Sequence, residues 1–457
     1  MKRASGVLLP IFSLPGEYGI GTLGEGARFF IDRIAEGGFS LWQTLPFCPT
    51  DTYGSPYAGV SSFAASPRYI DPGELLAIGL ITKEECEAQK RPEARFAEDG
   101  LADVRLALSK KAAARLDHGV LDAFLNDEPK VAAYCRLYAE RGGDFEAMAF
   151  SQYEFFRQWD ALREYAHARG ISVMGDMPIY VSAESLDIAM YPEAFLLDGE
   201  GHAERVAGAP PDYFCADGQI WGNPLYRYNE MRENGYRFIR DRLSFLLRRF
   251  DALRLDHFRG YLSYYSIPVG ASAREGHWED GPKDALFAAL SDLIGGYPIV
   301  AEDLGNVGED VEAFRRRCGF LSTRVLQFGF LGDPQSMHLP HNYPSDSVAY
   351  SSTHDNETLQ EYLLSMPDSE RAYLLDYCGA HGCEDAVSAV IRTLLASHSA
   401  LAVFSLADLL GYGAPFRVNT PGRAEGNWRI RFLREELAAL DTAHYLYLNR
   451  LFGRVGK

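Results

Sequence analysis

Paired cysteines are missing from this 457-residue chain. Its seven cysteines (Cys48, Cys86, Cys135, Cys215, Cys318, Cys378 and Cys383) are odd in number and scattered, with no Cys-x-x-Cys pair. A disulfide framework and a structural zinc site are therefore poor readings, and reduced thiols in a cytoplasm are expected. No run approaches the roughly 20 apolar residues that a membrane-spanning helix needs. The apolar stretch after Met1-Lys2-Arg3-Ala4-Ser5-Gly6 breaks at Pro10 and Pro15, too soon for the apolar core of a secretion signal. Positive charge is also short: 45 Lys plus Arg stand against 63 Asp plus Glu, a net charge of −18. Such a surface repels phosphate backbones and anionic lipid, so a neutral substrate is expected and neither nucleic acid nor membrane is an expected partner. Internal repeats and low-complexity tracts are absent, and 47% apolar with 24% charged residues is the balance of an ordinary globular protein.

What the chain does have is alternation. Short runs rich in Val, Ile, Leu, Phe and Tyr fall at 7–13, 40–47, 171–177, 252–257, 298–303, 323–330, 348–353 and 401–406. Several are nearly continuously apolar, as expected for a parallel sheet covered on both faces. Between them lie stretches of helical period. Residues 236–250 place Phe238, Leu243, Leu246, Leu247 and Phe250 near one face and Arg237, Arg240, Arg242 and Arg248 largely elsewhere. Residues 145–169 do likewise, with Gly170 as the stop. The pattern predicts an α/β fold, a closed (β/α)8 barrel spanning 1–457, with a doubly wound open sheet as the alternative. Residues 71–143, charged and Ala-rich, predict a helical insertion between strands two and three. Residues 181–228, rich in Pro, Gly and aromatics, predict a long ordered loop over the barrel mouth.

In a barrel enzyme the chemistry sits at the C-terminal ends of the strands. Strand four ends Arg254-Leu255-Asp256-His257, and a period of two points Arg254 and Asp256 the same way. A guanidinium beside a carboxylate keeps it ionised and oriented, which suits a carboxylate nucleophile; a structural ion pair is the other reading. Strand five ends Ala301-Glu302-Asp303. An acid there is partly desolvated, and this raises its pKa toward general-acid work, while Asp303 also suits a helix N-cap. Strand seven ends Thr353-His354-Asp355-Asn356, a donor beside an acceptor or a capping box. Two of these acids flanking a glycosidic bond would serve as nucleophile and acid/base. The blocks Pro211-Asp212-Tyr213-Phe214 and Gln219-Ile220-Trp221-Gly222-Asn223-Pro224-Leu225-Tyr226 supply flat rings with polar tips, which suit sugar faces and hydroxyl edges.

With these motifs in hand, the chain resembles the amylomaltases, the 4-α-glucanotransferases of the wider α-amylase clan. The likeness runs from Leu8-Leu9-Pro10 to Asn427-Trp428-Arg429. It is carried by Leu41-Trp42-Gln43-Thr44-Leu45-Pro46, Gly175-Asp176-Met177-Pro178-Ile179-Tyr180-Val181, the Trp221-to-Tyr226 block and the Arg254-to-Gly260 block. Ala301-to-Gly305, Thr353-to-Asn356 and Asn419-Thr420-Pro421-Gly422 complete it. The resemblance implies a (β/α)8 barrel with inserted, mainly helical subdomains and no C-terminal β-domain. It implies retaining transfer of an α-1,4-glucan segment to another sugar's 4-hydroxyl through a covalent glycosyl-enzyme. Asp256 is then the nucleophile, Glu302 the acid and base, and Asp355 the holder of the 2- and 3-hydroxyls. Tyr57, Asp176, Arg254 and His354 would line the sugar site nearest the bond. Tyr213, Phe214, Trp221 and Asn223 would cover the acceptor sites, and a second loop carrying Asn419 and Pro421 would cross the cleft. Malto-oligosaccharides and α-1,4-glucans are the implied partners, and no cofactor or metal is implied, because carboxylates perform the proton and nucleophile work. Two departures touch the cleft walls: Gly54 runs directly into Ser55-Pro56-Tyr57-Ala58, and Ala407 stands where many members have Gln. The rival readings are an α-1,4-glucan hydrolase of the same clan, a metal-dependent barrel using His257, Glu302, Asp303, His354 and Asp355, and an inactive glucan-binding protein.

Overall fold

The structure is a computed structural model that describes residues 2–51, 53–211, 217–305, 307–423 and 425–455. Strands β1 (Ala4–Leu8), β2 (Leu41–Gln43) and β3 (Ser172–Met177) begin a barrel. Strands β4 (Arg205–Ala209) and β5 (Gln219–Pro224) leave it for a side sheet, and β6 (Ala252–Leu255) returns. Strands β7 (Ser263–Pro268) and β8 (His277–Asp280) rejoin the side sheet. Strands β9 (Ile299–Ala301), β10 (Leu321–Val325), β11 (Ser347–Tyr350) and β12 (Leu401–Ser405) complete the barrel. It closes in the order β1-β12-β11-β10-β9-β6-β3-β2, every neighbouring pair parallel. With surrounding helices this is a (β/α)8 barrel, and the pairing of β1 with both β2 and β12 rules out the open sheet.

Each barrel strand lies within or against one of the eight apolar runs, but the strands are shorter. The first run ends its strand at Leu8, and Ile11–Ser13 is a 3-10 turn. Strand β10 stops at Val325 and gives way to the 3-10 turn Leu326–Gly329. At the mouth the chain must leave the ladder to reach its next helix, so the last apolar residues of a run belong to the rim. After β6 the departure is abrupt: His257 takes a left-handed conformation at φ 44°.

Period two along these strands builds the barrel and its mouth together. Leu8, Leu41, Met174, Ala252, Val300, Val325, Val348 and Leu401 pack inside. Their neighbours Val7, Trp42, Val173, Leu253, Ile299, Ala349 and Ala402 face the helices. Two residues beyond Met174, Ala252 and Val300 come Asp176, Arg254 and Glu302, which therefore continue the inner face to its C-terminal end. Gly175 faces outward beneath the Phe250 ring, where a Cβ would lie 2.5 Å from the ring carbon Cδ2. Phe250 itself stacks on Phe47 with centroids 5.4 Å apart.

Between β2 and β3, helices Leu101–Ala113, His118–Asp127 and Pro129–Glu140 pack on the long helix Phe145–His167. That helix ends shortly before Gly170 at φ 74°. The helix predicted over 236–250 forms as Arg237–Leu247, but Arg242 is buried with the apolar side. Its guanidinium donates to the carbonyls of Ile179 and Pro178 (3.1 and 2.6 Å), tying the loop after β3 to the helix. Spacing alone does not show that a loop will offer bare carbonyls to an arginine.

The segment predicted as a loop at 181–228 contains the helix Leu186–Met190, β4 and β5. These strands join β7 and β8 in a four-stranded antiparallel sheet of order β5-β4-β7-β8. No strand was expected between strands four and five of the barrel. The segment Ser263-Tyr264-Tyr265-Ser266-Ile267-Pro268 is short, and its small polar residues mask the alternation. Ala207 is fully buried and Tyr264 packs on Tyr228 (5.6 Å), so the sheet leans on the barrel.

Gly175→Val forces Phe250 aside, and unfolding in urea is expected to show a loss of about 1–3 kcal/mol. Gly199→Ala, where a Cβ meets nothing within 4 Å, is expected to change stability by no more than about 0.5 kcal/mol.

Candidate active site

Arg254 rises from the barrel interior and splits one nitrogen between two acids. Its Nη1 lies 2.7 Å from Asp176 Oδ2 and 2.9 Å from Asp256 Oδ1. Asp176 and Arg254 are buried, and Asp256 is partly open to the mouth. Tyr57, on the loop after β2, donates its hydroxyl to Asp176 Oδ2 (2.8 Å). The Tyr57 ring stacks on His354 at 5.1 Å and 14°. His354 Nε2 lies 3.3 Å from Asp355 Oδ2, and Asn419 donates its amide to Asp355 Oδ1 (2.6 Å).

Glu302 joins from the other side. The backbone N–H of His257 donates to Glu302 Oε2 (2.7 Å), and the N–H of Phe258 donates to the Glu302 carbonyl (2.9 Å). The left-handed turn at His257 thus ties the end of strand four to the acid after strand five. Burial pushes the Glu302 carboxyl up to about 8, helped by the charge of Asp256 and opposed by Arg254. Asp355 goes the other way. Burial works against its ionised form, but His354, Asn419 and Arg254 outweigh it and hold the carboxyl well below the usual range. Burial also brings His257 down to about 4, leaving a neutral ring near neutral pH. Two carboxyl groups in one mouth whose environments push them apart can divide proton transfer from charge stabilisation.

The remaining candidates sit as follows. Trp221 lies on β5, partly exposed, with its ring edge-on to His257 (4.9 Å) and its N–H donated to Gln219 Oε1 (2.9 Å). Asn223 spends its amide on the Val181 carbonyl (2.8 Å), holding β5 to the loop after β3. Pro421 is exposed in the turn closed by the Arg423 N–H to the Thr420 carbonyl (3.1 Å). Tyr213 and Phe214 lie outside the described residues. Ala407 borders a small pocket that Leu8, Ser352, His354 and Phe416 also line.

Two sequence expectations change. Asp303 caps no helix: it faces away from Glu302, accepts from the Thr323 N–H (2.7 Å) and pairs with Arg324 (3.3 Å). The helix that follows begins after Gly308. The cap at the seventh strand's helix is Thr358, which accepts from Glu361 N–H, leaving His354 and Asp355 free for the mouth. Among the described residues, no group of three or more His, Cys, Asp or Glu side chains is arranged to hold a metal ion. Trp428 went unread as a site residue. It packs on both Tyr57 (5.9 Å) and His354 (6.0 Å), and nothing in its local spacing signals that role.

A parallel barrel with carboxylates at the ends of strands four and five and after strand seven, beside an exposed tryptophan, defines the class of carbohydrate-active barrels. A sequence profile described as 4-alpha-glucanotransferase matches residues 9–137 and 122–436. The 4-alpha-glucanotransferase of Aquifex aeolicus (strain VF5) is 36% identical, with 100% of this chain and 99% of that protein covered. That of Thermus thermophilus is 36% identical over 96% of both. The structure of amylomaltase from Streptococcus agalactiae in complex with acarbose superposes with a TM-score of 0.95, at 32% identity and full coverage of both chains. The chain belongs to the 4-alpha-glucanotransferase family, the amylomaltases, and is an enzyme of that glycosyl-transferring type.

Because Glu302 holds its proton up to about pH 8, it is available as an acid below that pH and lost above it. The rate at limiting donor, followed as glucose released from maltotriose, is expected to fall about tenfold per pH unit above the apparent pKa.

Proposed function

We propose that the chain transfers segments of α-1,4-glucans with retention, by two displacements on Asp256. In the first step an Asp256 carboxylate oxygen bonds to the anomeric carbon of the donor sugar. The bond to the leaving 4-oxygen breaks, and Glu302 passes its proton to that oxygen. In the second, the Glu302 carboxylate takes the proton of an incoming 4-hydroxyl. That oxygen attacks the same carbon and returns the electron pair to Asp256. Two inversions restore the α configuration. Asp355, held ionised, grips the 2- and 3-hydroxyls and stabilises the positive charge that develops on the ring. Tyr57, Asp176, Arg254 and His354 surround that sugar. Trp221 and Asn223 face the acceptor side, and Asn419 and Pro421 close the cleft opposite.

The observation that carries this reading is the opposed tuning of Glu302 and Asp355 around the Arg254–Asp256 pair. Malto-oligosaccharides and starch-like glucans are the substrates, and the −18 charge suits their neutrality. Blocks 71–143 and 181–228 act as insertions on one catalytic barrel, the second flanking the acceptor side. A cytoplasmic setting fits six described cysteines that are all free thiols and the lack of any described helix long and apolar enough to cross a membrane.

Maltotriose is expected to give glucose plus a ladder of longer oligomers; glucose and maltose alone would indicate hydrolysis. Asp256→Asn is expected to cut turnover by on the order of 10⁴-fold or more while thermal unfolding stays unchanged. Acarbose, which the Streptococcus agalactiae neighbour holds, should still bind this variant by calorimetry. Glu302→Gln should lose maltotriose turnover but keep glycosylation by α-glucosyl fluoride, whose leaving group needs no proton.

A further inference from the structure

Asp408 is fully buried on the short helix Leu406–Leu409 that follows β12. Its carboxylate collects donors from both ends of one loop. Ser351 and Ser352 donate their hydroxyls to Oδ2 at 2.6 and 2.5 Å. The backbone N–H of Leu359, the first residue of the helix Leu359–Ser365, donates to Oδ1 at 2.6 Å. The nine residues between and including these anchors carry His354 and Asp355. Ser405 secures the carboxylate's own position by accepting from the Asp408 N–H (3.1 Å) and from Ser352 Oγ (3.2 Å).

We propose that Asp408 is a positioning residue for transfer: it clamps the two ends of the 351–359 loop and so sets where Asp355 and His354 stand against the sugar. A carboxylate suits this task because it offers lone pairs in two directions from one rigid plane and only accepts. All its partners named here are neutral, so it holds the loop by charge-assisted hydrogen bonds from inside the fold. The step it serves is the one in which charge develops on the ring, since that is where Asp355 acts. This inference rests on the reading of Asp355 above.

Misplacement by about 1 Å costs on the order of 10²-fold in rate, so Asp408→Ala is expected to lower kcat on maltotriose by that factor with KM changed by less than about threefold. Asp408→Asn keeps an oxygen for Leu359 while the serine hydroxyls can rotate to accept, and should stay within about tenfold of the parent. Acarbose affinity, measured by calorimetry, separates positioning from general loss of fold. Asp355→Asn and Asp408→Ala should each weaken it, and the double variant should be no weaker than Asp355→Asn alone. Equal weakening by Asp408→Ala in both backgrounds, or none in a folded single variant, overturns the proposal. If Asp408→Ala does not fold, Ser351→Ala combined with Ser352→Ala reads the same clamp, and unchanged kcat and acarbose affinity there overturn it too. Full turnover by Asp355→Asn would instead overturn the role of Asp355 itself.

Discussion

Arg254 reaches Asp176 and Asp256 with a single nitrogen, and the mouth is arranged around that contact. A buried guanidinium costs several kcal/mol to desolvate, so it persists only where acids or carbonyls satisfy it. Here Asp176 supplies the fixed, buried counter-charge, and Asp256 supplies the exposed one. Because Asp176 is locked by Tyr57 as well, the guanidinium plane cannot turn, and Asp256 inherits a set direction. A lone aspartate at a strand end would have several rotamers open to it. Paired this way it points one oxygen at the cation, and the proposed transfer uses the other. Arg254 also limits repulsion: without its charge, Asp176, Asp256, Glu302 and Asp355 would face one another in a site of low dielectric.

Glu302 and Asp355 diverge although the same cation acts on both. Arg254 favours ionisation of both, but Glu302 is opposed by burial and by Asp256, and its named donor is one neutral backbone N–H. Asp355 has His354 on one oxygen and the Asn419 amide on the other. The neighbouring His354, by its charge first and its hydrogen bond second, together with the Asn419 amide, therefore decides the sign for Asp355. The His257 amide gives Glu302 a compromise. It donates to the carboxyl without adding a formal charge, so the group can both hold and lose a proton, as the proposed two-step transfer requires.

Much of this was legible because a parallel barrel imposes period two and continuous burial together. The eight apolar runs located the strands, and the polar residue ending each run located Arg254, Asp256, Glu302 and His354. The ends of the runs misled for the same reason: rim residues such as Ile11 and Leu326 are as buried as strand residues but turn away from the ladder. The side sheet was illegible because its strands mix rings, small polar residues and charges instead of forming apolar runs. Tyr57, Asn419 and Pro421 came only from family likeness. An asparagine 64 residues beyond the acid it serves leaves no spacing signal, since the chain between is free to take any path. Arg242 and Asp303 show the converse error, in which a charged residue was given a surface or capping role and the fold used it to tie loops.

The ring cluster beside the acids is built on another principle. Tyr57, His354 and Trp428 come from loops after three different strands, yet their rings lie within 6.0 Å of one another. Trp428 sits at φ 61°, a conformation costing about 1–3 kcal/mol for a residue with a side chain. The neighbouring residue shows what holds it there. Asn427 accepts from the Thr420 N–H (2.9 Å) and donates to the Arg423 carbonyl (2.8 Å), closing the 420–427 turn on itself. The Trp428 N–H bonds to the Val418 carbonyl (2.9 Å) just below. The closed turn thus delivers Asn419 to Asp355 and Trp428 to the ring stack in one motion. Fixed rings and tuned acids thus border one mouth, the combination that the proposed transfer through a cationic ring carbon calls for.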